Sequence, residues 1–270
     1  MNSSVPPLIA RSILSRHSLE DQVAVVTGAG RGIGLEAARS LAWLGARVVI
    51  AEVDPQLGHD ATAQINHEFD YDSSVFVRTD VGNEDSVIHL ARQVIRLHGR
   101  VDIILNNAVT IPVGLIQENS IRVWDHSYHV NLRGPVLLVR MFLPAMLQQD
   151  SGVIAFVAST ARKYCAVSET MKSAQIALAH NLDAEVEKSS LITFTIHPGR
   201  VLTSGAESVE RQIASLEGQN ESLDPKFLGR AISAETSGAA IAAAIALASR
   251  YRGLDIDVYK VLRETRIPIE

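Results

Sequence analysis

Residues 23–34 read VAVVTGAGRGIG, a β-branched run that leads directly into four glycines within seven residues. The continuous apolar run predicts a strand that is buried on both faces, as in a parallel sheet covered by helices. Glycines permit a tight turn, let the backbone approach a pyrophosphate, and leave the next helix N-terminus facing the negative charge. Because the turn lies between a strand and an amphipathic helix, we predict that it opens a dinucleotide-binding fold.

The same alternation of short apolar runs and longer helical patterns continues along the chain. Strands are predicted at residues 23–27, 47–51, 74–78, 101–105, 152–158 and 191–196, with a seventh within 254–259. Helices are predicted at residues 34–44, 55–68, 84–98, 121–149 and 168–187. Such alternation indicates right-handed crossovers. The predicted fold class is therefore α/β: a Rossmann-type doubly wound parallel sheet of about seven strands with helices on both faces.

The chain is predicted to hold a single dinucleotide-binding domain at residues 21–270, after an N-terminal extension at residues 1–20. Neither a Pro/Ser-rich linker nor an internal repeat divides it. Residues 203–230 are polar and are predicted to be irregular. Because this segment follows the sixth strand, it overhangs the edge where open α/β sheets bind ligands. We interpret it as a lid over the substrate.

Composition narrows the class of protein. The sequence is 47% hydrophobic and 20% charged, with a net charge of −5 and interspersed signs, which favours a globular protein that binds neither nucleic acid nor a membrane surface. The lone Cys165 excludes an internal disulfide framework and a cysteine-based zinc cluster, and we expect no metal site. The N-terminus lacks a sustained apolar core, so we expect a cytoplasmic protein.

Glu52 ends the second predicted strand, 18 residues after Gly34. A carboxylate there can accept hydrogen bonds from both hydroxyls of an adenosine ribose and repels a 2′-phosphate. This favours NAD(H) over NADP(H). Arg31 within the glycine turn acts in the opposite sense, because a basic side chain can hold a phosphate.

The spacing Thr-Gly-x-x-x-Gly-Ile-Gly resembles the short-chain dehydrogenase/reductase family, and further family motifs follow in order over residues 21–257. The resemblance implies an adenine-binding pair, an Asn-Asn-Ala signature, a helix-embedded Asn, a catalytic Ser and a nicotinamide-side Pro-Gly turn. The implied cofactor-binding residues are Gly28, Arg31, Gly32, Ile33, Gly34, Glu52, Asp80, Val81, Asn107, Ala108, Lys172, Pro198, Gly199, Val201 and Thr203. The implied catalytic positions are Asn131, Ser159, Ser168 and Lys172.

The resemblance breaks at the family's Tyr-x-x-x-Lys motif, where Lys172 is present but Ser168 stands in place of the tyrosine. In the family that tyrosine exchanges a proton with the substrate oxygen, and the lysine lowers its pKa. A serine hydroxyl is a far weaker acid and reaches roughly 4 Å less far from the same Cα. Tyr164 and Tyr128 are considered as replacements, although a packing or surface role explains each more simply.

Two further departures lie near the expected reaction centre: Val109 and Arg162 replace common glycines. The predicted function is an NAD(H)-dependent oxidoreductase of an alcohol or ketone with an atypical active site. The alternatives are a disabled dinucleotide-binding scaffold or sensor, and a repurposed non-redox enzyme. A small-molecule substrate is the expected partner, and the resemblance implies a homodimer or homotetramer built on the helices at residues 121–149 and 168–187.

Overall fold

The computed structural model describes residues 6–69, 73–159, 162–219, 228–229 and 231–270. Its strands are β1 Val23–Thr27, β2 Arg47–Glu52, β3 Ser74–Arg78, β4 Ile103–Asn106, β5 Gly152–Val157, β6 Leu191–His197, β7 Val201–Leu202, β8 Ile232–Ser233 and β9 Asp255–Asp257. Seven of them form one parallel sheet in the order β3-β2-β1-β4-β5-β6-β9, and β7 pairs with β8. The predicted doubly wound sheet is confirmed.

Helices cover both faces of this sheet. They are α1 Gly32–Trp43, α2 Pro55–Glu68, α3 Glu84–His98, α4 Ile121–Tyr128, α5 Gly134–Gln149, α6 Ala166–Glu185, α7 Ser204–Leu216, α8 Ala234–Ala246 and α9 Val258–Thr265, with a π-helical turn at His129–Arg133 between α4 and α5. One apolar core joins the sheet to α1 and α8 through residues such as Val26 and Leu41. The other joins it to α3, α5 and α6 through residues such as Val25, Leu90 and Phe142.

Helix ends follow from local chemistry. Asp54 accepts from the backbone N–H groups of Gln56 and Leu57, at 2.9 and 3.2 Å, and Pro55 supplies the first helical φ of α2. Helix α3 begins at the Asn83 cap and ends at Gly99, whose φ of 72° is left-handed. These signals account for the agreement of both helices with their predicted bounds.

The predicted irregular lid is wrong for residues 204–216, which form α7. Thr203 caps this helix by accepting from the backbone N–H of Ala206 at 3.1 Å. Val209 is buried, and Ile213, four residues later on the same side of the helix, is partly buried. The helical spacing of these apolar residues is diluted by polar neighbours, which hid it in the sequence. Residues 220–227 and 230 of the predicted lid lie outside the described residues.

The C-terminal and N-terminal segments also differ from expectation. The last predicted strand is only Asp255–Asp257, because Asp257 caps α9 by accepting from the Lys260 N–H at 2.8 Å. Residues 8–19 of the predicted extension pack into the body of the domain: Leu8 and Ile9 are buried, and the Leu19 N–H donates to the Leu44 carbonyl at 2.9 Å.

Among the described residues, Ile121–Gln149 is long and apolar enough to cross a membrane by length and composition. This stretch comprises α4, the π turn and α5. Leu138, Phe142 and Met146 on α5 are fully buried in the second core. Burial against the sheet accounts for its apolar character.

Candidate functional site

The glycine turn after β1 is held to the end of β4. Gly28 has a φ of 63°, a left-handed conformation that favours glycine. The Asn107 side-chain amide donates to the carbonyls of Thr27 and Gly28 at 2.9 and 3.1 Å, and the Thr27 hydroxyl accepts from the Ala108 N–H at 3.1 Å. A side chain at Gly34 would overlap the Gly28 carbonyl oxygen. The turn therefore packs tightly against β4.

The N-terminus of α1 is suited to a pyrophosphate. Arg31, the exposed residue before the helix, makes no side-chain capping hydrogen bond, and the first turn carries no acidic residue. The first backbone N–H groups of α1, from Gly32 and Ile33 onward, thus receive no side-chain cap from Arg31 and are directed at a site where an anion can bind. A Cβ on Gly32 would meet only Thr203, at 3.4 Å. The residues present fit a dinucleotide.

Glu52 supports the glycine turn directly. The residue is 7% exposed, and its Oε2 accepts from the Gly30 N–H at 3.1 Å. Its Oε1 accepts from the N–H groups of Val53 and Asp54 at 2.8 and 3.1 Å. The sequence predicted a carboxylate at this strand end but did not reveal its bonds to the turn. Glu52 therefore combines two properties: it orders the backbone of the glycine turn and places negative charge beside it.

The remaining predicted cofactor positions border the same sheet edge. Val81 is buried under α5, whereas Asp80 is exposed and accepts from the Gly82 N–H at 2.9 Å. In the predicted Pro-Gly turn, Gly199 has a φ of 79° and the Ser237 hydroxyl donates to the Pro198 carbonyl at 2.9 Å. Val201 pairs with Ile232 in the small sheet, and Thr203 caps α7. The carboxyl ends of parallel strands meet here, where this class of sheet binds ligands.

Asn131 is fully buried in the π turn between α4 and α5. Its side-chain oxygen accepts from the Thr110 N–H, and its side-chain nitrogen donates to the Thr110 carbonyl, both at 2.8 Å. The same nitrogen donates to the Ser127 hydroxyl at 2.9 Å. The backbone carbonyl of Asn131 accepts from the Gln175 side chain. Asn131 thus anchors the loop after β4.

Lys172 is 5% exposed and lies on α6. Its Nζ donates to the Val157 carbonyl at 2.5 Å and to Gln175 Oε1 at 3.4 Å. Burial lowers the pKa of Lys172 to about 8, although the nearby Glu169 carboxylate opposes that shift. Gln175 therefore connects the lysine to the Asn131 carbonyl.

Ser168 and Ser159 differ in what they contact. The Ser168 hydroxyl is buried and donates to the Cys165 carbonyl at 3.1 Å, within the first turn of its own helix. The Ser159 hydroxyl donates to Glu169 Oε1 at 2.8 Å. Neither Glu169 nor Gln175 was predicted. Both lie three residues from Lys172 on α6, one before and one after, and this helical spacing was the available signal.

The basic residues after β5 contact α7. Arg162 forms an ion pair with Glu210, and Lys163 forms one with Glu217 at 2.8 Å. The charge that Arg162 brings near the site is thus balanced by a carboxylate of α7. These pairs join the segment after Ser159 to α7.

The two tyrosines considered as replacements make other contacts. Tyr164 has a left-handed φ of 64°, its carbonyl accepts from the Gly114 N–H at 2.8 Å, and the Lys163 ammonium lies 4.6 Å from its ring centre. Tyr128 is 43% exposed and its ring lies edge-on to His129. Val109, in place of a glycine, is also 43% exposed.

A cavity of about 520 Å³ adjoins the Asn131 anchor, a size typical of ligand pockets. Its lining residues are Thr110, Pro112, Ser120, Arg122, Val123 and His126. Thr110 connects this space to the site through its two bonds to Asn131. Across the described ranges, no group of three or more His, Cys, Asp or Glu side chains could hold a metal ion.

A family profile and individual relatives of this chain both belong to the oxidoreductases. The profile of the family described as short chain dehydrogenase matches residues 22–214. An uncharacterized oxidoreductase of Thermotoga maritima is 36% identical over 191 residues, covering 69% of this chain and 73% of that protein. An uncharacterized oxidoreductase of Staphylococcus saprophyticus is 30% identical over 220 residues, covering 79% of this chain and 90% of that protein.

Solved structures share the fold. NAD⁺-bound xylitol dehydrogenase superposes with a TM-score of 0.81 at 21% identity, covering 88% of this chain and 98% of that chain. L-Sorbose reductase from Gluconobacter frateurii, complexed with NADPH and L-sorbose, superposes with a TM-score of 0.80 at 23% identity, covering 90% and 97%. One neighbour holds NAD⁺ and the other NADPH, so this fold accepts nicotinamide dinucleotides of both kinds.

Proposed function

This chain belongs to the short-chain dehydrogenase family, and on that basis we propose that it is an NAD(H)-preferring oxidoreductase of an alcohol or ketone. The observation that carries the proposal is the joint presence of the glycine turn and of Lys172 with Ser159 along one sheet edge. The first group of residues fits a dinucleotide. The second offers hydrogen-bonding groups where a reacting oxygen could be held.

The preference for NAD(H) rests on Glu52. Its carboxylate lies beside the glycine turn and is bound by three backbone N–H groups. A 2′-phosphate brought to this place would face a fixed negative charge, whereas ribose hydroxyls could donate to the carboxylate oxygens. Arg31 is exposed and is free of the capping role, so it is the group that would favour a phosphate.

A bound nicotinamide supplies the two-electron transfer to or from the substrate carbon. The chain's own residues supply position and protons. Ser159 offers a hydroxyl for the substrate oxygen, and Lys172 offers an ammonium whose pKa burial lowers to about 8. Helix α7 is joined to the segment after Ser159 by two ion pairs and so lies beside this part of the site.

We propose that the part of the substrate remote from its reacting oxygen occupies the cavity beside Asn131, since Ser159 and Lys172 are not among the residues that line this cavity. Threonine, serine, arginine and histidine line it beside apolar Pro112 and Val123, a mixture that suits a small polar molecule. L-Sorbose and xylitol, the compounds in the names of two fold neighbours, are the first probes that we would use.

The test is a titration of the purified protein with NADH and with NADPH, followed by energy transfer from Trp43 and Trp124. We expect saturable binding with NADH preferred. In the Glu52→Ser variant, we expect the preference for NADH to shrink by tenfold or more, about 1.4 kcal/mol. Turnover of L-sorbose with NADH, or of xylitol with NAD⁺, completes the test.

Failure to bind either dinucleotide would contradict the proposal and favour a scaffold or a non-redox activity. Binding with NADPH preferred would contradict the role given to Glu52. Binding of NADH without turnover of either probe would favour a dinucleotide sensor, and the oxidoreductase assignment would then be withdrawn.

A further inference from the structure

We propose that Glu169 is the proton donor and acceptor of this site and that it works through the hydroxyl of Ser159. The proposal rests on the proposed oxidoreductase function and deepens it. It assigns the proton transfer to a carboxyl group one residue beyond the position where the family has a tyrosine.

The geometry that supports this role is a direct contact. The Ser159 hydroxyl donates to Glu169 Oε1 at 2.8 Å, a length typical of a strong O–H···O bond. Ser159 follows the end of β5, at the edge where the strands bind ligands, and Glu169 reaches it from the first turn of α6. A proton can therefore pass between the carboxyl group and the serine oxygen without movement of the backbone.

Other hydroxyls of the site are less suited to this task. The Ser168 hydroxyl is buried and donates to the Cys165 carbonyl, and an aliphatic hydroxyl barely ionises in water. The Tyr164 ring contacts the exposed Lys163. A carboxyl group is a much stronger acid than an aliphatic hydroxyl. When its surroundings raise its pKa towards neutral pH, it can both release and accept a proton, which is how enzymes tune glutamate for acid–base catalysis.

The surroundings of Glu169 act in both directions on its pKa. Burial raises the pKa of Glu169, while the Ser159 hydrogen bond and neighbouring positive groups oppose that rise, and the net direction is upward. The groups that face it are Arg162 after β5, Cys165 and Lys172 on or beside α6, and His197 at the end of β6, with Glu210 and Asp255 as partners of Arg162 and His197.

In ketone reduction, one proton and two electrons reach the substrate carbonyl group from different sources, and the second hydrogen arrives with the electrons. The substrate carbon is reduced by the nicotinamide dinucleotide, and the π electron pair of the carbonyl moves to the substrate oxygen. In this direction Glu169 begins protonated, and its hydrogen bond with Ser159 is the reverse of the one in the structure: the Glu169 O–H donates to Ser159 Oγ, and the Ser159 hydroxyl donates to the substrate oxygen. Ser159 gives its hydroxyl proton to that oxygen and takes the proton of Glu169, which is left as a carboxylate and is reprotonated from water. In alcohol oxidation the same protons move in reverse, so that Glu169 must begin as the carboxylate.

The first test compares Glu169→Gln with Glu185→Gln, a control on the exposed side of the same helix. A glutamine can still accept from Ser159 but cannot release a proton. We expect Glu169→Gln to lower kcat by about 10²–10⁴-fold, the usual contribution of general acid catalysis. NADH affinity should be unchanged, and Glu185→Gln should match the wild type.

The second test does not depend on turnover. Infrared spectra of the cofactor-free protein, wild type minus Glu169→Gln, report the protonated carboxyl group of Glu169 as pH is varied. We expect a titration midpoint above the ordinary value of about 4.3 for glutamate. Ser159→Ala should raise that midpoint further, because the carboxylate loses a hydrogen bond that stabilises it.

The outcomes separate this proposal from the proposed function. A wild-type chain that binds no dinucleotide, or turns over neither probe, contradicts the oxidoreductase function itself. If the wild type turns over a probe and Glu169→Gln turns it over equally fast, the role of Glu169 is contradicted and the oxidoreductase function is not. An infrared midpoint at or below the ordinary value contradicts it as well, whatever the activity.

Discussion

The guanidinium of Arg162 pairs with the carboxylate of Glu210, so the segment after Ser159 is joined to α7. The two side chains are 25% and 13% exposed, which places the pair between a surface ion pair and a buried one. Lys163 and Glu217 form a second, more exposed link between the same segments. The position of α7 relative to the segment after Ser159 therefore depends on charge as well as on apolar packing.

Glu210→Gln should loosen α7. We expect a loss of about 1–2 kcal/mol of local stability, between the values for exposed and buried pairs, so amide hydrogen exchange in α7 should quicken about 5–30-fold. Glu207→Gln is the matched control, because within the described residues Glu207 pairs with Arg211 of its own helix, at i,i+4 and 3.7 Å, and not with the segment after Ser159. Equal exchange in the two variants would show that the Arg162 pair does not hold the helix.

Gly34→Ala should destabilise the glycine turn. The added methyl group would overlap the Gly28 carbonyl oxygen and lie 2.5 Å from Asn107 Nδ2. We expect a cost of about 1–3 kcal/mol and a melting temperature lower by roughly 2–10 °C, measured by calorimetry. NADH binding should weaken as well.

Gly205→Ala serves as the control for this change. Its Cβ would find only Thr203 Oγ1, at 3.9 Å, and alanine is favoured over glycine in a helix. The variant should be as stable as the wild type or slightly more stable. A melting temperature for Gly34→Ala equal to that of the control would show that the turn has room that the structure does not indicate.

Lys172→Met tests the buried ammonium through the pH dependence of stability. Burial lowers the folded-state pKa of Lys172 to about 8, below its unfolded value of about 10.4. Between these values the unfolded chain binds more protons, so wild-type stability rises with pH. The stability of the methionine variant relative to wild type should therefore be constant below pH 8 and fall by about 3 kcal/mol towards pH 10.5.

Denaturant unfolding at a series of pH values measures this difference, and titrations common to both proteins cancel. Lys188→Met, at an exposed position, should show a flat difference over the same range. A flat difference for Lys172→Met would mean that the ammonium is solvated in the folded protein.

Much of the fold was predictable because its signals are local. The bounds of β1, β3, α2 and α3 were predicted correctly from apolar runs, from capping residues and from Gly99. Helix α7 was missed because it has only a narrow apolar side. The packing of Leu8 and Ile9 was missed because a short apolar pair in a polar segment gives no periodic signal.

The site was less predictable because its contacts join distant parts of the chain. Glu52 could be placed at a strand end, yet its bond to Gly30 spans 22 residues. The contact of Gln175 with Asn131 spans 44 residues. Two tyrosines were considered as replacements for the missing tyrosine, and Glu169, the carboxylate next to Ser168, was not predicted.

The π-helical turn at His129–Arg133 sets the angular relation between the two halves of a long helix. Such a turn contains one residue more than the regular helix it interrupts, and each residue rotates an α-helix by about 100°. Deleting one residue here would restore a continuous helix and swing Leu138 and Phe142 of α5 away from the sheet. It would also return the Asn131 carbonyl to the helical ladder, away from Gln175. The extra residue of the π turn therefore sets the rotation of α5. With that rotation, the apolar side of α5 faces the sheet and the Asn131 carbonyl faces Gln175.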